Sequence, residues 1–489
     1  MPPMALDLKS QTPLYRQISM WFQRTIHAGQ LLPGQRVPSS RALAEELGIS
    51  RIPVLSAYEM LIAEGYFETY VGVGTCVSRS IPDAFSPPER EGLPDQISVA
   101  VERKALRPIS RRAAGMRGPA QKWLEECRGC PDLKHFPMSI WSTLMKRHAQ
   151  RNSRELMGYG EPMGYWPFRE ALAEYLGAFR AVKCQPSQIL VTTGAQQALQ
   201  ISALALLDPG DSVWLEEPGY PGTQQALRMA GASLVPVPID GQGINVEHAM
   251  RVANHARAAY VAPAHQYPLS VTMSASRRIE LLTWAARNGA WIVEDDYDSE
   301  YRFSGNPIAS LQGRDMDGRV IYVGTLCKVV FPTLRLGFAV IPEDLVGPFL
   351  DIRNASDTIC TSVLHQMVMT DFIREGHFSR HIKRMRAAYM ERHKAMVAAI
   401  QAQADDVLEV VGDRAGLYVM ALLPAGIDDL ELAEAAKQMG IPVRSSSQCY
   451  VNPPERGGLL MGYAHTDVRD IPAKVAALKT LIHARMPKH

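Results

Sequence analysis

Residues 324–337 read GTLCKVVFPTLRLG and follow an apolar, strand-like run at 319–323. Lys328 lies just after that run, Arg335 follows seven residues later, and Gly337 lets two backbones approach closely. A carbonyl cofactor that also carries a phosphate needs an amine for an imine bond and cationic or N–H groups for the phosphate. Lys328 and Arg335 could supply these groups. Taken alone, Lys328 is more simply read as an exposed lysine in a loop, because lysines are mostly exposed.

The composition is that of a globular chain with a large core. The chain has 489 residues, enough for roughly two to four domains, and 46% of them are hydrophobic and 21% charged. The net charge of +2 gives no general argument for nucleic-acid binding, so such a function has to be inferred from a motif. No apolar run approaches the ~20 residues of a membrane span, and the first residues, MPPMALDLKSQ, lack the apolar core of a signal peptide.

The cysteines do not predict a disulfide framework, since there are seven in a chain of this length. With no export signal in the sequence, we expect a reducing, cytoplasmic environment. Cys127 and Cys130 form a lone CxxC pair, which without a second pair is weak evidence for zinc or redox chemistry. We therefore expect no metal site.

Residues 1–79 show the order of elements that is typical of a winged helix-turn-helix. Apolar spacing, caps and glycine stops predict three helices followed by a hairpin, at 12–28, 41–47, 51–64 and 67–77. The predicted caps of the three helices are Thr12 with Pro13, Ser39 with Ser40, and Ser50. We therefore predict a DNA-binding domain at 1–79.

Polar side chains gather at the starts of the second and third predicted helices. Side chains and N–H groups at helix starts can contact the phosphates or the base edges of DNA. The predicted DNA-binding residues are Arg36, Ser39, Arg41, Ser50 and Arg51. The alternative is a three-helix packing module whose arginines are incidental.

A proline-rich segment follows the wing and predicts a linker at 80–120. The basic stretch 103–122 contains no acidic residue and is either a solvated tether or a tether that also follows DNA phosphates. From 121 to 489, short apolar runs alternate with helix-length stretches, which predicts a doubly wound α/β domain with a mainly parallel sheet. The predicted strands are 189–193, 212–215, 233–237, 259–262, 291–294, 320–323 and 338–341, and a smaller C-terminal subdomain after about residue 396 includes 416–423.

Two junctions in this domain could contact a phosphate and an aromatic ring. Gly194 follows the strand at 189–193 and opens a helix, so N–H groups and the positive end of the helix dipole would face an anion there. Junctions between a strand and a helix at a glycine are common, so this one alone is weak evidence for a phosphate site. Tyr220 lies in the turn EPGYPG, 217–222, where it is well placed to stack on a flat ring.

Acidic residues follow the predicted strand at 291–294. Asp295 and Asp296 come at the carboxyl end of a parallel strand, where such folds bind ligands. One carboxylate there can hold a pyridine nitrogen protonated, and the phenol of Tyr297 can bond a ring hydroxyl. Together with Lys328, these groups are those that pyridoxal 5′-phosphate requires.

These motifs carry a resemblance to known families. Residues 121–489 resemble the fold-type I, class I aminotransferases, and with the N-terminal segment the whole chain resembles the MocR subfamily of GntR regulators. The supporting motifs are PLYRQ at 13–17, LLPGQRVPSSRALAEELGISR at 31–51, AYEMLIAEGYFETYVGVGT at 57–75, YGEPMGY at 159–165 and AHQYP at 264–268. The resemblance implies an α/β protein in which a winged helix-turn-helix is joined by a linker to an aminotransferase-like domain that binds pyridoxal 5′-phosphate.

The resemblance also implies roles for individual residues. Lys328 would carry the cofactor as an aldimine, Asp295 would pair with its pyridine nitrogen, and Tyr220 would stack on its ring. Tyr297 would bond the ring oxygen, with help from Tyr267. The cofactor phosphate would be held by Gly194, Ala195, Gln196, Thr325 and Arg335.

One further implied contact comes from a second copy of the chain. Aminotransferase-type sites form at a dimer interface, so Tyr159 would reach the phosphate bound by the partner subunit. We therefore expect a homodimer.

The chain departs from the aminotransferase pattern where those enzymes bind the substrate carboxylate. Leu459, Leu460 and Met461 occupy the block in which aminotransferases carry an arginine. None of the three can bind a carboxylate through two hydrogen bonds. Arg444, in the predicted loop 443–450, is the nearest substitute. Simple α-amino acids should therefore be poor ligands.

The resemblance, with that departure, implies a regulator rather than an enzyme. It would bind promoter DNA and would sense pyridoxal 5′-phosphate, or an amine or amino-acid-like effector, through Lys328. One alternative is a working aminotransferase that keeps a DNA-binding appendage. Another is a DNA-bridging protein with an inactive aminotransferase fold.

Overall fold

The computed structural model describes residues 3–7, 10, 12–70, 72–79, 130–150, 154–303, 308–357, 361–412 and 415–486. The chain divides into two compact units, Met1–Pro108 and Ile109–His489. The predicted linker at 80–120, the basic stretch 103–122 and Cys127 lie outside the described residues. The predicted boundaries at 79 and 120 therefore stay predictions.

The first unit is a winged helix-turn-helix, as the sequence predicts. Its helices are α1 (Leu14–His27), α2 (Ser40–Leu47) and α3 (Arg51–Ala63), and its wing consists of β1 (Phe67–Tyr70) and β2 (Gly74–Val77). The two wing strands pair antiparallel. The first helix begins at Leu14, one residue after the predicted first helical residue, because Pro13 is its N-cap.

An aromatic cluster forms the centre of this unit. Phe22 from α1, Tyr58 from α3 and Phe67 from β1 pack edge to face, with ring centroids 5.1–5.8 Å apart. The hydroxyl of Tyr58 donates a hydrogen bond of 2.7 Å to the carbonyl of Pro38. Because Pro38 precedes α2, this bond fixes the start of α2 relative to α3.

The second unit is built on an eight-stranded sheet. Its strands are β3 (Ile189–Thr192), β4 (Ser212–Glu217), β5 (Ser233–Asp240), β6 (Gly243–Ile244), β7 (Ala258–Val261), β8 (Trp291–Asp296), β9 (Val320–Thr325) and β10 (Gly337–Val340). They are ordered β3-β10-β9-β8-β7-β4-β5-β6. Strands β5, β4, β7, β8 and β9 are parallel to one another, which confirms the predicted mainly parallel sheet. Strand β10 runs antiparallel to both of its neighbours, and β6 runs antiparallel to β5.

Helices precede, separate and follow these strands in the second unit. They are α4 (Met138–Ala149), α5 (Arg154–Met157), α6 (Trp166–Arg180), α7 (Ala195–Leu206), α8 (Pro221–Ala230), α9 (Val246–Ala253), α10 (Ala275–Asn288), α11 (Val346–Ser356) and α12 (Val363–Arg374). Every residue of β8 and β9 is buried. Strands that are covered on both faces read as continuous apolar runs, which is why the sequence revealed them so clearly.

The C-terminal part of the second unit carries a smaller sheet. Its elements are α13 (His377–Gln403), β11 (Glu409–Val411), β12 (Tyr418–Leu422), α14 (Asp429–Gln438), β13 (Val443–Ser445), β14 (Gly458–Gly462) and α15 (Ile471–His483). The four strands are antiparallel in the order β11-β12-β14-β13. The strand predicted at 416–423 corresponds to β12. In the ranges described, no helix combines the length and the apolar character that crossing a bilayer requires.

Candidate functional site

A cavity of about 480 Å³ lies at the carboxyl ends of the parallel strands. The ends of β4, β7, β8 and β9 contribute Glu216, Val261, Asp295 and Thr325 to its wall, which is where parallel sheets bind ligands. The cavity is lined by every predicted cofactor residue except Tyr159, namely Lys328, Asp295, Tyr297, Tyr220, Tyr267, Gly194, Ala195, Gln196, Thr325 and Arg335. Tyr159 lies elsewhere, with 76% of its surface exposed.

Asp295, at the end of β8, is a buried carboxylate. Burial raises its pKa to about 7, and the charges of Asp296 and Asp298 act in the same direction, while the charge of Lys328 opposes them. Among the described residues, Asp295 Oδ1 has no hydrogen-bond partner. A buried carboxylate oxygen of this kind is stabilised by a cationic N–H group. The site therefore fits the protonated ring nitrogen of the predicted cofactor.

Lys328 lies in the turn that follows β9. Burial lowers the pKa of its amine, and the nearby charge of Arg444 lowers it further. A lowered pKa increases the fraction of neutral amine, which is the form that attacks a carbonyl carbon. The environment of Lys328 is thus suited to an imine bond.

Another part of the cavity wall combines a helix start with a cation. Gly194, with φ of 126°, is the N-cap of α7. A Cβ atom on Gly194 would lie 3.4 Å from Nη2 of Arg335, so the guanidinium lies beside the helix start. Free N–H groups, the helix dipole and a guanidinium together form an anion-binding arrangement. The geometry fits the phosphate of the predicted cofactor.

Gly337 is needed for the close approach of β10 to this helix start. A Cβ atom on Gly337 would lie 2.6 Å from both the Cα and the carbonyl carbon of Gly194. Backbone cannot move away as a flexible side chain can, so Gly337→Ala should lower the free energy of unfolding by about 1–3 kcal/mol. Thermal or urea unfolding measures this change.

Gly347 provides the matched control for that substitution. A Cβ atom there would meet no atom within 4 Å, and the residue lies in the first turn of α11. Gly347→Ala should leave stability unchanged or raise it by about 0.4–1 kcal/mol. Equal effects of the two substitutions would contradict the importance of the contact between Gly337 and Gly194.

A hydrogen-bonded network that the sequence did not reveal surrounds Tyr297. Its hydroxyl lies 3.0 Å from Nδ1 of His265 and 3.3 Å from the hydroxyl of Tyr418. Nδ1 of His265 is also 2.8 Å from Oδ1 of Asp298. Asp298 could have been suspected from its position just after Asp295. The two aromatic partners come from other parts of the fold, and no sequence signal links them to Tyr297.

Tyr220 and Tyr267 form an aromatic wall of the cavity. Their rings meet edge to face, with centroids 5.9 Å apart. Tyr220 is the N-cap of α8. In the same turn, Gln196 Nε2 donates a hydrogen bond of 2.9 Å to the carbonyl of Gly222. This bond ties the start of α7 to the turn that carries Tyr220.

The predicted DNA-binding residues all lie on the surface of the first unit. Arg36, Ser39, Arg41, Ser50 and Arg51 are exposed. The hydroxyl of Ser39 accepts a hydrogen bond of 3.2 Å from the amide of Ala42, and Nε of Arg51 donates one of 3.2 Å to the hydroxyl of Ser40. The starts of α2 and α3 are therefore linked side by side.

Ser50 differs in detail from the prediction, and the structure places Arg36 beside the wing. Ser50 is the N-cap of α3, but its side chain makes no capping hydrogen bond. Arg36 lies next to the wing, where its backbone bridges to that of Cys76. A Cβ atom on Gly74 would lie 3.5 Å from Nε of Arg36. Arg36 thus belongs to the wing side of the surface.

The comparison with known proteins covers both units. A family described as "Aminotransferase class I and II" matches residues 132–471, and one described as "Bacterial regulatory proteins, gntR family" matches residues 14–77. The "Probable rhizopine catabolism regulatory protein MocR" of Rhizobium meliloti is 38% identical over 480 residues, which are 98% of this chain and 95% of that protein. The chain belongs to the MocR subfamily of GntR transcriptional regulators.

Other relatives of this MocR-type regulator agree with that assignment. The "HTH-type transcriptional regulator TauR" of Rhodobacter capsulatus is 30% identical over 451 residues, 88% of each chain. A crystal structure of kynurenine aminotransferase from Pyrococcus horikoshii has a TM-score of 0.72 and 26% identity, and covers 80% of this chain and 100% of that one. The second unit of the MocR-type regulator therefore has the fold of an aminotransferase.

The prediction that Arg444 of the MocR-type regulator lies in a loop is wrong. This residue does not lie in a loop but on strand β13, directly opposite Leu460 on β14. Both side chains line the cavity. An arginine is thus present on the cavity wall beside Leu460.

One cysteine of the predicted CxxC pair also lines the cavity. Cys130 lines the cavity, whereas Cys127, the other member of the CxxC pair, lies outside the described residues. Within the parts of the chain that the structure describes, no group of three or more His, Cys, Asp or Glu side chains could hold a metal ion.

Proposed function

We propose that this MocR-type regulator binds pyridoxal 5′-phosphate at Lys328 and that occupancy of the cavity changes how it binds DNA. One observation carries the proposal. Residues scattered over 194–335 line a single cavity, and their chemistry matches the parts of this cofactor: an amine, a carboxylate, an aromatic wall and an anion-binding helix start.

Each end of the cavity would hold a different part of the cofactor. Asp295 would pair with the ring nitrogen, Tyr297 would donate to the ring oxygen, and Tyr220 would stack on the ring beside Tyr267. The phosphate would be held by Gly194, Ala195, Gln196, Thr325 and Arg335. When bound, this cofactor supplies a carbonyl carbon that reacts with primary amines, so Lys328 would anchor it and amines would be the natural effectors.

A second copy of the chain would complete the site. Tyr159 is 76% exposed and does not line the cavity of its own chain, so it is available to a partner subunit. We infer a homodimer in which Tyr159 of one protomer contacts the phosphate in the other.

We infer that the second unit senses a ligand and does not turn it over. By the resemblance to aminotransferases, Leu460 would stand at the position of their carboxylate-binding arginine, so a substrate would not be oriented as it is in those enzymes. A ligand that binds one arrangement of the domains better than another shifts the equilibrium toward that arrangement. Regulation of DNA binding then requires that the ligand binds in the cavity, but not that it is converted to a product.

The test of this function measures promoter affinity with and without pyridoxal 5′-phosphate and candidate amines. A changed dissociation constant or footprint is expected. The same affinity under all conditions would contradict the proposal. Sustained conversion of an amino acid and a keto acid would instead support the enzyme alternative.

The DNA-binding surface would be formed by the starts of α2 and α3, with Arg36 on the wing side. Arg51→Ala removes a guanidinium that is held in place by Ser40 at 3.2 Å. If Arg51 contacts a base, promoter affinity should fall roughly 5- to 150-fold, with relaxed specificity at one position. If it contacts a phosphate, affinity should fall for all DNA sequences. The slope of log affinity against log salt concentration should then become shallower by about 0.9.

A matched substitution outside this surface controls for the loss of charge. Arg469 lies in the second unit with 88% of its side chain exposed. Arg469→Ala removes the same charge but should leave promoter affinity and its salt dependence as in the wild type. An Arg51→Ala variant that behaves like Arg469→Ala would show that Arg51 does not contact DNA.

A further inference from the structure

Arg444 and Leu460 form a register pair in the smaller sheet. Arg444 lies on the edge strand β13 and Leu460 directly opposite it on β14. Directly opposed residues of an antiparallel pair point to the same face, with Cα atoms about 4.5–5.5 Å apart. Both residues line the cavity. The guanidinium therefore reaches the ligand side of the cavity from the neighbouring strand.

The charge of Arg444 acts on the groups at the reactive end of the cavity. It lowers the pKa of the Lys328 amine and opposes the burial that raises the pKa of the Tyr220 phenol. Both effects require the guanidinium to be near these groups. A ligand amine directed at Lys328 would thus bring its other end within the field of Arg444.

The apolar wall around Leu460 strengthens the attraction between Arg444 and an anionic group of a ligand. Leu460 packs in a buried cluster with Tyr267, Tyr418 and Met420. In apolar surroundings of this kind a guanidinium and an anion attract each other more strongly than in water. Amines without an anionic group gain no such attraction from the guanidinium, so Arg444 discriminates between the two classes of ligand.

We infer that Arg444 is the residue of this chain that determines effector specificity, by binding an anionic group on an amine effector. The carboxylate or sulfonate of the effector would pair with the Arg444 guanidinium through charge-assisted hydrogen bonds, while its amine faces Lys328. The inference rests on the proposed function and adds the residue that binds the effector's anionic group. This residue lies on β13, beside Leu460 of β14.

The test compares amines that differ only in the anionic group. The full-length protein, loaded with pyridoxal 5′-phosphate, is titrated with alanine and 2-aminopropanol, with β-alanine and 3-aminopropanol, and with 4-aminobutanoate and 4-aminobutanol. The visible absorbance spectrum reports binding. In at least one pair the anionic member should half-saturate at a concentration at least about tenfold lower, as the loss of one charge-assisted hydrogen bond predicts.

The variant Arg444→Gln identifies the residue responsible. It should abolish the preference for the anionic member of each pair, measured as the ratio of the two half-saturation concentrations, because an effect on Lys328 is common to both members of a pair and cancels in that ratio. Arg469→Gln, which removes an exposed arginine, should keep the preference. If Arg444→Gln does not fold, Arg444→Lys takes its place, because it keeps the charge but loses the paired geometry and should reduce the preference severalfold.

The outcomes separate this inference from the proposed function. Wild-type protein without a visible band contradicts the proposed function itself. A normal band with equal affinities in every pair contradicts only the assignment of Arg444. A preference that persists in Arg444→Gln also overturns that assignment, because the anion would then be bound elsewhere.

Discussion

Lys328→Ala should abolish the visible absorbance band of protein-bound pyridoxal 5′-phosphate. Among the residues that line the cavity, Lys328 is the only lysine, so no other side chain there can form the imine bond. The variant should also lose any change in promoter affinity caused by the cofactor. Absorbance spectra and promoter titrations measure the two effects.

Chemical trapping locates the bond independently of the spectrum. Borohydride reduction of the wild type should attach the cofactor permanently to the peptide that contains Lys328, as peptide mass spectrometry would reveal. Lys183→Ala is the matched control, because Lys183 is exposed and does not line the cavity. An unchanged band in Lys328→Ala, or an adduct on another lysine, would contradict the assignment.

Asp295→Asn should weaken cofactor binding and at the same time stabilise the cofactor-free protein. An amide cannot form the charge-assisted pair with a protonated ring nitrogen, so the dissociation constant should rise roughly 10- to 150-fold. Without the cofactor, burial holds the pKa of Asp295 at about 7, against an ordinary value of 3.8. Keeping this carboxylate ionised at pH 8 costs on the order of 4 kcal/mol, which the amide avoids.

The pH dependence of stability in cofactor-free protein tests the second effect, the stabilisation by Asp295→Asn, separately from cofactor binding. Since the folded state holds the proton of Asp295 more tightly than the unfolded state, the free energy of unfolding falls as pH rises from about 4 to about 7. In cofactor-free protein, the advantage of Asp295→Asn should therefore be largest at pH 8 and shrink toward pH 5. Asp317→Asn, at an exposed position, should show no such trend. A constant advantage, or none, would contradict the raised pKa of Asp295.

The sequence alone determined the elements and their order. Cap residues, glycine stops and apolar spacing act within a few residues of the chain, so the three helices and the wing could be predicted almost to the residue. Strands such as β3, β7 and β10 were visible because burial on both faces makes them almost continuously apolar. Lys328, Asp295 and Tyr220 could be suspected because each lies at the end of such a strand, where ligands bind.

Only the tertiary structure decided which distant residues meet. The reversed direction of β10 depends on pairing between strands that are far apart in sequence, and local patterns carry no record of it. His265 joins Tyr297 and Asp298 through hydrogen bonds of about 3 Å that exist only when separate loops converge. Arg444 shares a wall with Leu460 because their strands pair in one register. Strand pairing and side-chain convergence are non-local, so the sequence supplied the chemical groups and the folded chain determined which of them act together.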